Sequence, residues 1–134
     1  MANIRQTIIV RTDLNFSMGL MAAQVSHLHF ERMRKLLVDI ERKEASLNLM
    51  DDDFKSWFFD PYIFVHKVPG LEILNYFQTE FKKAEIPVVE WLDTISIDIS
   101  PTQKKVFPNL KVGICAGPCD SDKIRAVTGD LPLL

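Results

Sequence analysis

Residues 7–19 read TIIVRTDLNFSMG, and this stretch decides the fold class. Its first four residues, 7–10, are apolar or β-branched without alternation, which is typical of a strand buried on both faces. The segment from Arg11 to Gly19 is rich in polar residues and predicts a loop. A buried strand that leads through a loop into a helix is typical of a layered α/β domain.

The rest of the chain alternates between helical and strand patterns in the same way. The helix after the loop is predicted to begin at Ser17 or Met18 and to end near Lys43, and its small residues Ala22 and Ala23 would let it lie close against a sheet. The later elements are a helix that begins at the acidic residues 51–53, strands at 62–65, 86–92 and 110–115, and helices at 71–84 and 121–128. An alternating stretch at 95–99 and a polar loop at 101–109 separate the last two strands. The order β-α-α-β-α-β-β-α predicts one α/β domain over residues 1–134, with helices on both faces of the sheet.

Composition excludes several classes of protein. The chain has 134 residues, a formal net charge of −2, 47% hydrophobic residues and 25% charged residues, which is typical of a globular domain. It is not a disordered chain, a disulfide-stapled miniprotein or a strongly basic nucleic-acid binder, although its composition does not exclude a local basic patch. No apolar run resembles a signal peptide or a membrane span, so we expect a cytoplasmic protein without membrane contact. Cys115 and Cys119 form an isolated pair, which is a poor zinc signal, so we expect reduced thiols and no metal site.

Polar side chains follow two of the predicted strands, at the edge where open α/β sheets bind ligands. One group is Arg11 and Asp13 with the following helix, which carries Gln24 and His27, and the other begins at Asp93. Each residue also has a structural interpretation: a local ion pair for Arg11 and Asp13, a packed histidine, and a turn cap for Asp93. There is no P-loop, dinucleotide fingerprint or nucleophile elbow. Residue chemistry alone therefore predicts an α/β domain and does not identify its function.

Motifs at both ends of the chain resemble one family. Residues 11–14 and 18–27 read RTDL and MGLMAAQVSH, and residues 117–118 and 127–134 read GP and VTGDLPLL. These segments resemble the signatures of the type 2 peptidyl-tRNA hydrolases. The resemblance implies a four-stranded mixed sheet with helices on both faces, a homodimer, and hydrolysis of the ester between a peptide and the 3′ end of tRNA without a metal or organic cofactor. Residues 102–110 look like an insertion into the family pattern.

The departures from the family pattern lie in its reactive positions. Met18 stands where the family has the lysine before its glycine, and Leu20 replaces a second lysine. Asp93 is kept, but Ile97 stands at the position of the threonine that follows it in the family. A second family threonine falls near Val112. A thioether or an alkyl chain donates no hydrogen bond, so the expected donors for an oxyanion are missing.

Three hypotheses follow for the function. In the first, the chain is a diverged member in which ester hydrolysis is weak or lost, and the fold binds peptidyl-tRNA or another small ligand as a binding or regulatory module. In the second, it is an active hydrolase in which Asp93 orients water and His27 or Arg11 assists. In the third, it is a homodimeric structural protein without a ligand. The predicted catalytic residues are Asp93 and His27, and the predicted binding residues are Arg11, Asp13, Gln24, Thr94 and Ser96.

Compensating residues and the packing of the cleft bear on these hypotheses. Thr94 or Ser96 could replace the missing hydroxyl, and Arg11, or Lys104 and Lys105, could restore positive charge. If Met18 and Ile97 pack together in a dry cleft, hydrolysis is disfavoured, whereas an open polar site around Asp93 and His27 keeps it available.

Overall fold

The computed structural model describes residues 3–41 and 52–134. Within these residues the elements follow the predicted order, and in chain order they are β1 (Ile4–Arg11), α1 (Met18–Glu41), α2 (Asp52–Phe59), β2 (Ile63–Val68), α3 (Leu71–Lys83), β3 (Val88–Ser100), β4 (Gln103–Asp120) and α4 (Ser121–Thr128). The beginning of α1 at Met18 and both ends of α4 confirm the predicted bounds. The acidic residues expected to open α2 lie partly outside the described residues, because Asp51 precedes the first described residue of that helix.

The four strands form one mixed sheet in the order β2-β1-β4-β3. Strand β1 pairs in parallel with β2 and antiparallel with β4, and β3 pairs antiparallel with β4. Ile8, Ile9 and Val10 at the centre of β1 are fully buried. The continuous apolar run therefore marks a strand that is covered on both faces, as the sequence predicts.

Helices cover both faces of this sheet. Leu28 of α1 packs against Ile8, Val10 and Cys115 on one face. Helices α3 and α4 cover the other face, where the buried side chains include Leu74, Phe77, Phe81, Ile124, Ile9 and Ile114. Alternate residues of β1 thus point into two cores, which makes the fold a layered α/β/α domain.

Helix α1 approaches the sheet at Gly113 of β4. A Cβ atom at this position would lie 2.6 Å from the carbonyl oxygen of Ile9 and 2.8 Å from Cδ1 of Leu28. The sequence interpretation placed the small residues for this approach on the helix, and that was wrong, because Ala22 and Ala23 are exposed. The glycine of the strand, rather than the alanines of the helix, makes room for α1.

Strands β3 and β4 continue past the rest of the sheet as a two-stranded ribbon, residues 93–110. Pairing of β1 with β4 ends at Val10 and Gly113, whereas β3 and β4 remain paired out to Ser100 and Gln103. The predicted polar loop at 101–109 was wrong, since only Pro101 and Thr102 form a turn. The apparent insertion is therefore half of a regular antiparallel hairpin.

The last residues of the chain run beside β2. The N–H of Lys67 donates to the carbonyl of Pro132 (3.0 Å), and the N–H of Leu134 donates to the carbonyl of Val65 (2.9 Å). Nδ1 of His66 lies 3.0 Å from the carbonyl oxygen of Leu131. Residues 66–68 also pair with Ile9, Val10 and Arg11 of β1, so β2 runs to Val68, three residues beyond its predicted end. In residues 3–41 and 52–134, no helix has the length and apolarity needed to cross a membrane.

Candidate functional site

One end of the sheet gathers the residues that the sequence singles out. Strands β1 and β3 are both antiparallel to β4, so they run in the same direction. Strand β1 ends at this edge, and Asp93, which was predicted to follow a strand ending at residue 92, lies inside β3 where that strand leaves the rest of the sheet. Helix α1 follows β1 through a short loop, residues 12–17, so its first turn lies at this edge as well. The ribbon extends from the same edge. Ligands of α/β sheets bind at such carboxyl ends, which makes this edge the candidate site.

The carboxylate of Asp93 is held by two hydrogen bonds. Nε2 of Gln24 in α1 donates to its Oδ2 at 2.8 Å, and the backbone N–H of Thr94 donates to its Oδ1 at 2.8 Å. Gln24 is 1% exposed, so its amide forms hydrogen bonds within the protein and not with bulk water. Two of the predicted site residues, 69 positions apart in the sequence, are thus in direct contact. The pair fixes the direction in which the carboxylate can meet a ligand.

Two buried polar atoms close to this pair have no partner among the described residues. They are Oε1 of Gln24 and Nε1 of Trp91, an acceptor and a donor. Because buried polar atoms are nearly always hydrogen-bonded, a water molecule or a ligand hydroxyl is the expected partner here. His27, which is exposed, stacks on Trp91 with ring centroids 4.6 Å apart and an interplanar angle of 11°. His27 therefore lies on the same flank of α1 as Gln24.

Irregular pairing of β4 surrounds the position opposite Asp93. The register skips Val112 on one side of the pair formed by Asp93 and Leu110, and skips residues 108–109 on the other. Asn109 has a φ of 53°, a conformation that asparagine tolerates better than most residues. Such bulges redirect side chains and are common beside active sites. Val112, near which the resemblance places a second family threonine, is fully buried in the core.

Arg11 and Asp13 neutralise each other. Nε and Nη2 of Arg11 donate to the two carboxylate oxygens of Asp13 at 2.8 and 2.7 Å, and Nη1 of Arg11 lies 3.3 Å from the carbonyl of Lys111. The hydrogen bonds from Arg11 lower the pKa of the Asp13 carboxyl below its usual value. The geometry is that of the local ion pair, so the guanidinium joins the loop to β4 and is already committed.

Three of the positions that depart from the family pattern, Met18, Leu20 and Ile97, are exposed. Met18 is 90% exposed at the first turn of α1, Leu20 is 41% exposed, and Ile97 is 37% exposed on the ribbon. Met18 therefore does not fill a dry cleft, and the packing that would disfavour hydrolysis is not formed. Burial alternates along β3 so that Asp93 faces α1 while Thr94 and Ser96 face away. Their hydroxyls are therefore poorly placed to replace the missing one.

An apolar cavity adjoins the loop and the first turns of α1. Its volume is about 630 Å³, and its lining residues are Thr12, Asn15, Phe16, Met18, Met21, Ala22, Val25 and Leu134. A cavity of this size can hold a small ligand or one apolar part of a larger one. Our sequence interpretation missed it, although Met18, Met21 and Val25 recur at helical spacing and gave a signal.

The histidines and cysteines have separate environments. Nδ1 of His29 lies 2.6 Å from Oε1 of Gln6, and burial lowers the pKa of this histidine. Cys115 and Cys119 are free thiols. Burial raises the pKa of Cys115, and it raises that of Cys119 to about 11. Across residues 3–41 and 52–134, no group of three His, Cys, Asp or Glu side chains is arranged to hold a metal ion.

Comparison with known proteins agrees with the resemblance. Residues 4–134 match the sequence model of a family described as Peptidyl-tRNA hydrolase PTH2. A peptidyl-tRNA hydrolase of Sulfurisphaera tokodaii is 32% identical over 136 residues, covering 97% of this chain and 98% of that protein. A peptidyl-tRNA hydrolase of Metallosphaera sedula is 30% identical over 133 residues, covering 98% of this chain and 100% of that protein.

Proposed function

The chain belongs to the peptidyl-tRNA hydrolase PTH2 family, and from this premise we propose that it binds the peptidyl end of a tRNA but hydrolyses the ester weakly or not at all. In this proposal it acts as a binding or regulatory module. The observation that carries the proposal is Met18, an exposed thioether at the position of the family lysine. No lysine or arginine occurs in residues 12–20, so the loop and the first turn of α1 offer the substrate no cation.

The expected loss of rate follows from the chemistry of ester hydrolysis. Negative charge develops on the carbonyl oxygen in the transition state, and a fixed donor or cation stabilises it. Removal of one such donor typically costs about 10²- to 10³-fold in rate. In this chain the lysine position is Met18 and the threonine positions are Ile97 and Val112, none of which donates a hydrogen bond. Binding does not depend on these donors to the same degree.

A second candidate function is an active hydrolase with a rearranged site, and the geometry at Asp93 favours keeping it. A carboxylate whose two oxygens are fixed by Gln24 and Thr94 is positioned to orient a water molecule. The unpaired Oε1 of Gln24 offers that water a second acceptor. His27 would then assist from its place on Trp91.

Single-turnover hydrolysis of an N-blocked aminoacyl-tRNA tests both. We expect slow or undetectable turnover by the wild type and a gain of roughly 10-fold or more for Met18→Lys, because a lysine restores one charged donor. The lysine would stabilise the oxyanion while Asp93 still orients the water, so Met18→Lys combined with Asp93→Asn is expected to lose the gain. Leu37→Lys is the matched control, since Leu37 is 64% exposed on the same helix far from its first turn.

The outcomes separate the two candidates. Rapid turnover by the wild type that Asp93→Asn abolishes would establish the rearranged enzyme. A Met18→Lys variant no faster than Leu37→Lys would show that missing charge is not what limits hydrolysis. The proposal also includes a single domain, a cytoplasmic location and a homodimer, and sedimentation velocity of the purified chain tests the homodimer.

A further inference from the structure

The ribbon, residues 93–110, has little support from the rest of the fold. Past Gly113 the described residues of β1 no longer pair with β4, and the two strands of the ribbon pair with each other. Most of its side chains are exposed, including Ile99 at 62% and Val106 at 57%. A two-stranded hairpin is marginal in water without further packing. Such an exposed hairpin presents a surface that a partner can cover.

The position of the ribbon relates it to the candidate site. It begins at Asp93, and β4 lies between β1 and β3 in the sheet. The free edge of β4 in the ribbon therefore borders the space above the carboxyl end of β1 and the first turn of α1. Lys105 pairs opposite Ile97 and Lys104 opposite Asp98, four and five residues beyond Asp93. At about 3.3 Å per residue these lysines lie roughly 13 and 17 Å along the ribbon from the carboxylate.

The two lysines flank that free edge. Successive residues of a strand point to opposite faces, so one ammonium lies on each side of β4. Nζ of Lys105 lies 5.0 Å from the centre of the Phe107 ring, a cation–π contact that holds it in place. Lys104 is 72% exposed and 4.0 Å from an equally exposed Asp98, a surface pair of little strength. A passing phosphate can displace such a pair.

Other cations at this edge are already committed. Arg11 is bonded to both oxygens of Asp13, and Nζ of Lys111 lies 3.0 Å from Oε2 of Glu90 and 2.6 Å from Oδ1 of Asn75. The ribbon therefore carries positive charge that is available for phosphate, although the first turn of α1 has none.

We propose that the ribbon binds the phosphates of the single-stranded 3′ end of a tRNA through Lys104 and Lys105. This inference rests on the proposed function, which places the ester near Asp93. From there, an extended single strand that runs along the free edge of β4 reaches the lysines within a few nucleotides. The ribbon thereby supplies affinity from outside the reactive positions.

Equilibrium binding of deacylated tRNA at several salt concentrations tests the inference. Each phosphate contact on a single strand contributes about 0.7 to the slope of log K against log salt. For Lys104→Ala combined with Lys105→Ala we expect the slope to fall by about 1.4, which is about 25-fold weaker binding at 0.1 M salt if affinities converge at 1 M. The control is Lys82→Ala combined with Lys83→Ala, two adjacent lysines in the last turn of α3 at the opposite end of the sheet. Both double variants change the net charge equally.

A tRNA trimmed of its single-stranded 3′ nucleotides provides the second arm. We expect the wild type and the ribbon variant to bind this trimmed tRNA equally, and arginine at both positions to restore binding of the intact tRNA. Absence of tRNA binding by the wild type at low salt overturns the inference, as does equal loss in the two double variants or an undiminished effect on trimmed tRNA. The binding assay measures no hydrolysis, so its outcome does not depend on whether Met18→Lys increases turnover. Failure of this inference and failure of the proposed function can therefore be told apart.

Discussion

Replacing Gly113 by alanine tests the close approach of α1 to the sheet. The new Cβ would lie 2.6 Å from the carbonyl oxygen of Ile9 and 2.8 Å from Cδ1 of Leu28, both closer than real Cβ contacts. The contact with Ile9 is to its backbone, and β1 is paired with a strand on each side. Strand β1 therefore cannot move away from Gly113 without losing hydrogen bonds. A shift of Leu28 and α1 relieves only the second contact, so the contact with the Ile9 carbonyl remains as strain in the sheet. Overpacking a core costs about 1–3 kcal/mol, and a backbone clash puts Gly113→Ala near the upper value.

The expected change in melting temperature follows from the size of the chain. An unfolding entropy of about 2.1 cal/mol/K per residue gives roughly 0.28 kcal/mol/K for 134 residues, so a loss of about 3 kcal/mol lowers Tm by about 10 °C. Gly19→Ala is the matched control, because no atom lies within 4 Å of its added Cβ, and we expect it to be neutral or slightly stabilising. Thermal unfolding by circular dichroism measures both. A Gly113→Ala protein that melts within about 2 °C of the wild type would refute the argument.

Two further predictions concern titratable groups. Burial lowers the pKa of His66 and of His29, so the unfolded chain binds protons more readily than the folded one. The contribution of these histidines to the free energy of unfolding is therefore complete above the ordinary pKa of about 6.5, and it decreases as the pH falls from 6.5 towards their lowered pKa values. Urea unfolding at pH 7.5 and pH 5.5 checks this, and equal midpoints would contradict it. Burial raises the pKa of Cys119 to about 11 from 9.0, so we expect iodoacetamide to alkylate it at pH 8 about 100-fold more slowly than an ordinary thiol. Cys115 should react only after unfolding, because burial raises its pKa as well. Mass spectrometry measures both reactions, and rapid labelling of native Cys115 would show that this thiol is not buried.

The sequence pattern predicted the helices and strands that bury one face or both faces in the core. The run at 7–10 lies in the central strand, and the helix at 121–128 has its predicted bounds because Asp120 caps it and Gly129 ends it. Residues 101–109 were misread as a loop, because both faces of the ribbon are exposed and no apolar alternation marks the strand. The sequence interpretation ended β2 at Val65, because no local pattern shows that residues 66–68 pair with β1 on one side while His66 and Lys67 contact the chain's last residues, some 65 positions away, on the other.

The candidate site was predictable as a set of residues but not as an arrangement. Gln24 and Asp93 were named from their positions beside predicted strands and from the resemblance, yet their hydrogen bond joins a helix to an edge strand across 69 positions of sequence. Arg11 was considered a source of free charge, and only the geometry shows that Asp13 takes both of its donors on that side. The apolar cavity depends on the loop fold and on Leu134, which no local pattern brings to α1.

The last residues of the chain, which run beside β2, decide how this sheet can grow. Residues 132–134 occupy backbone groups on the outer side of β2, so a foreign strand meets no open ladder there. In the part of the chain that the structure describes, the uncovered margins are β3, 13 residues long, and the free edge of β4 in the ribbon. Strand exchange, fibril growth or sheet extension between copies would therefore have to start along β3 or along that edge of β4. Proteins that must avoid such association commonly place charge there, and Glu90, Asp93 and Asp98 are spaced along β3.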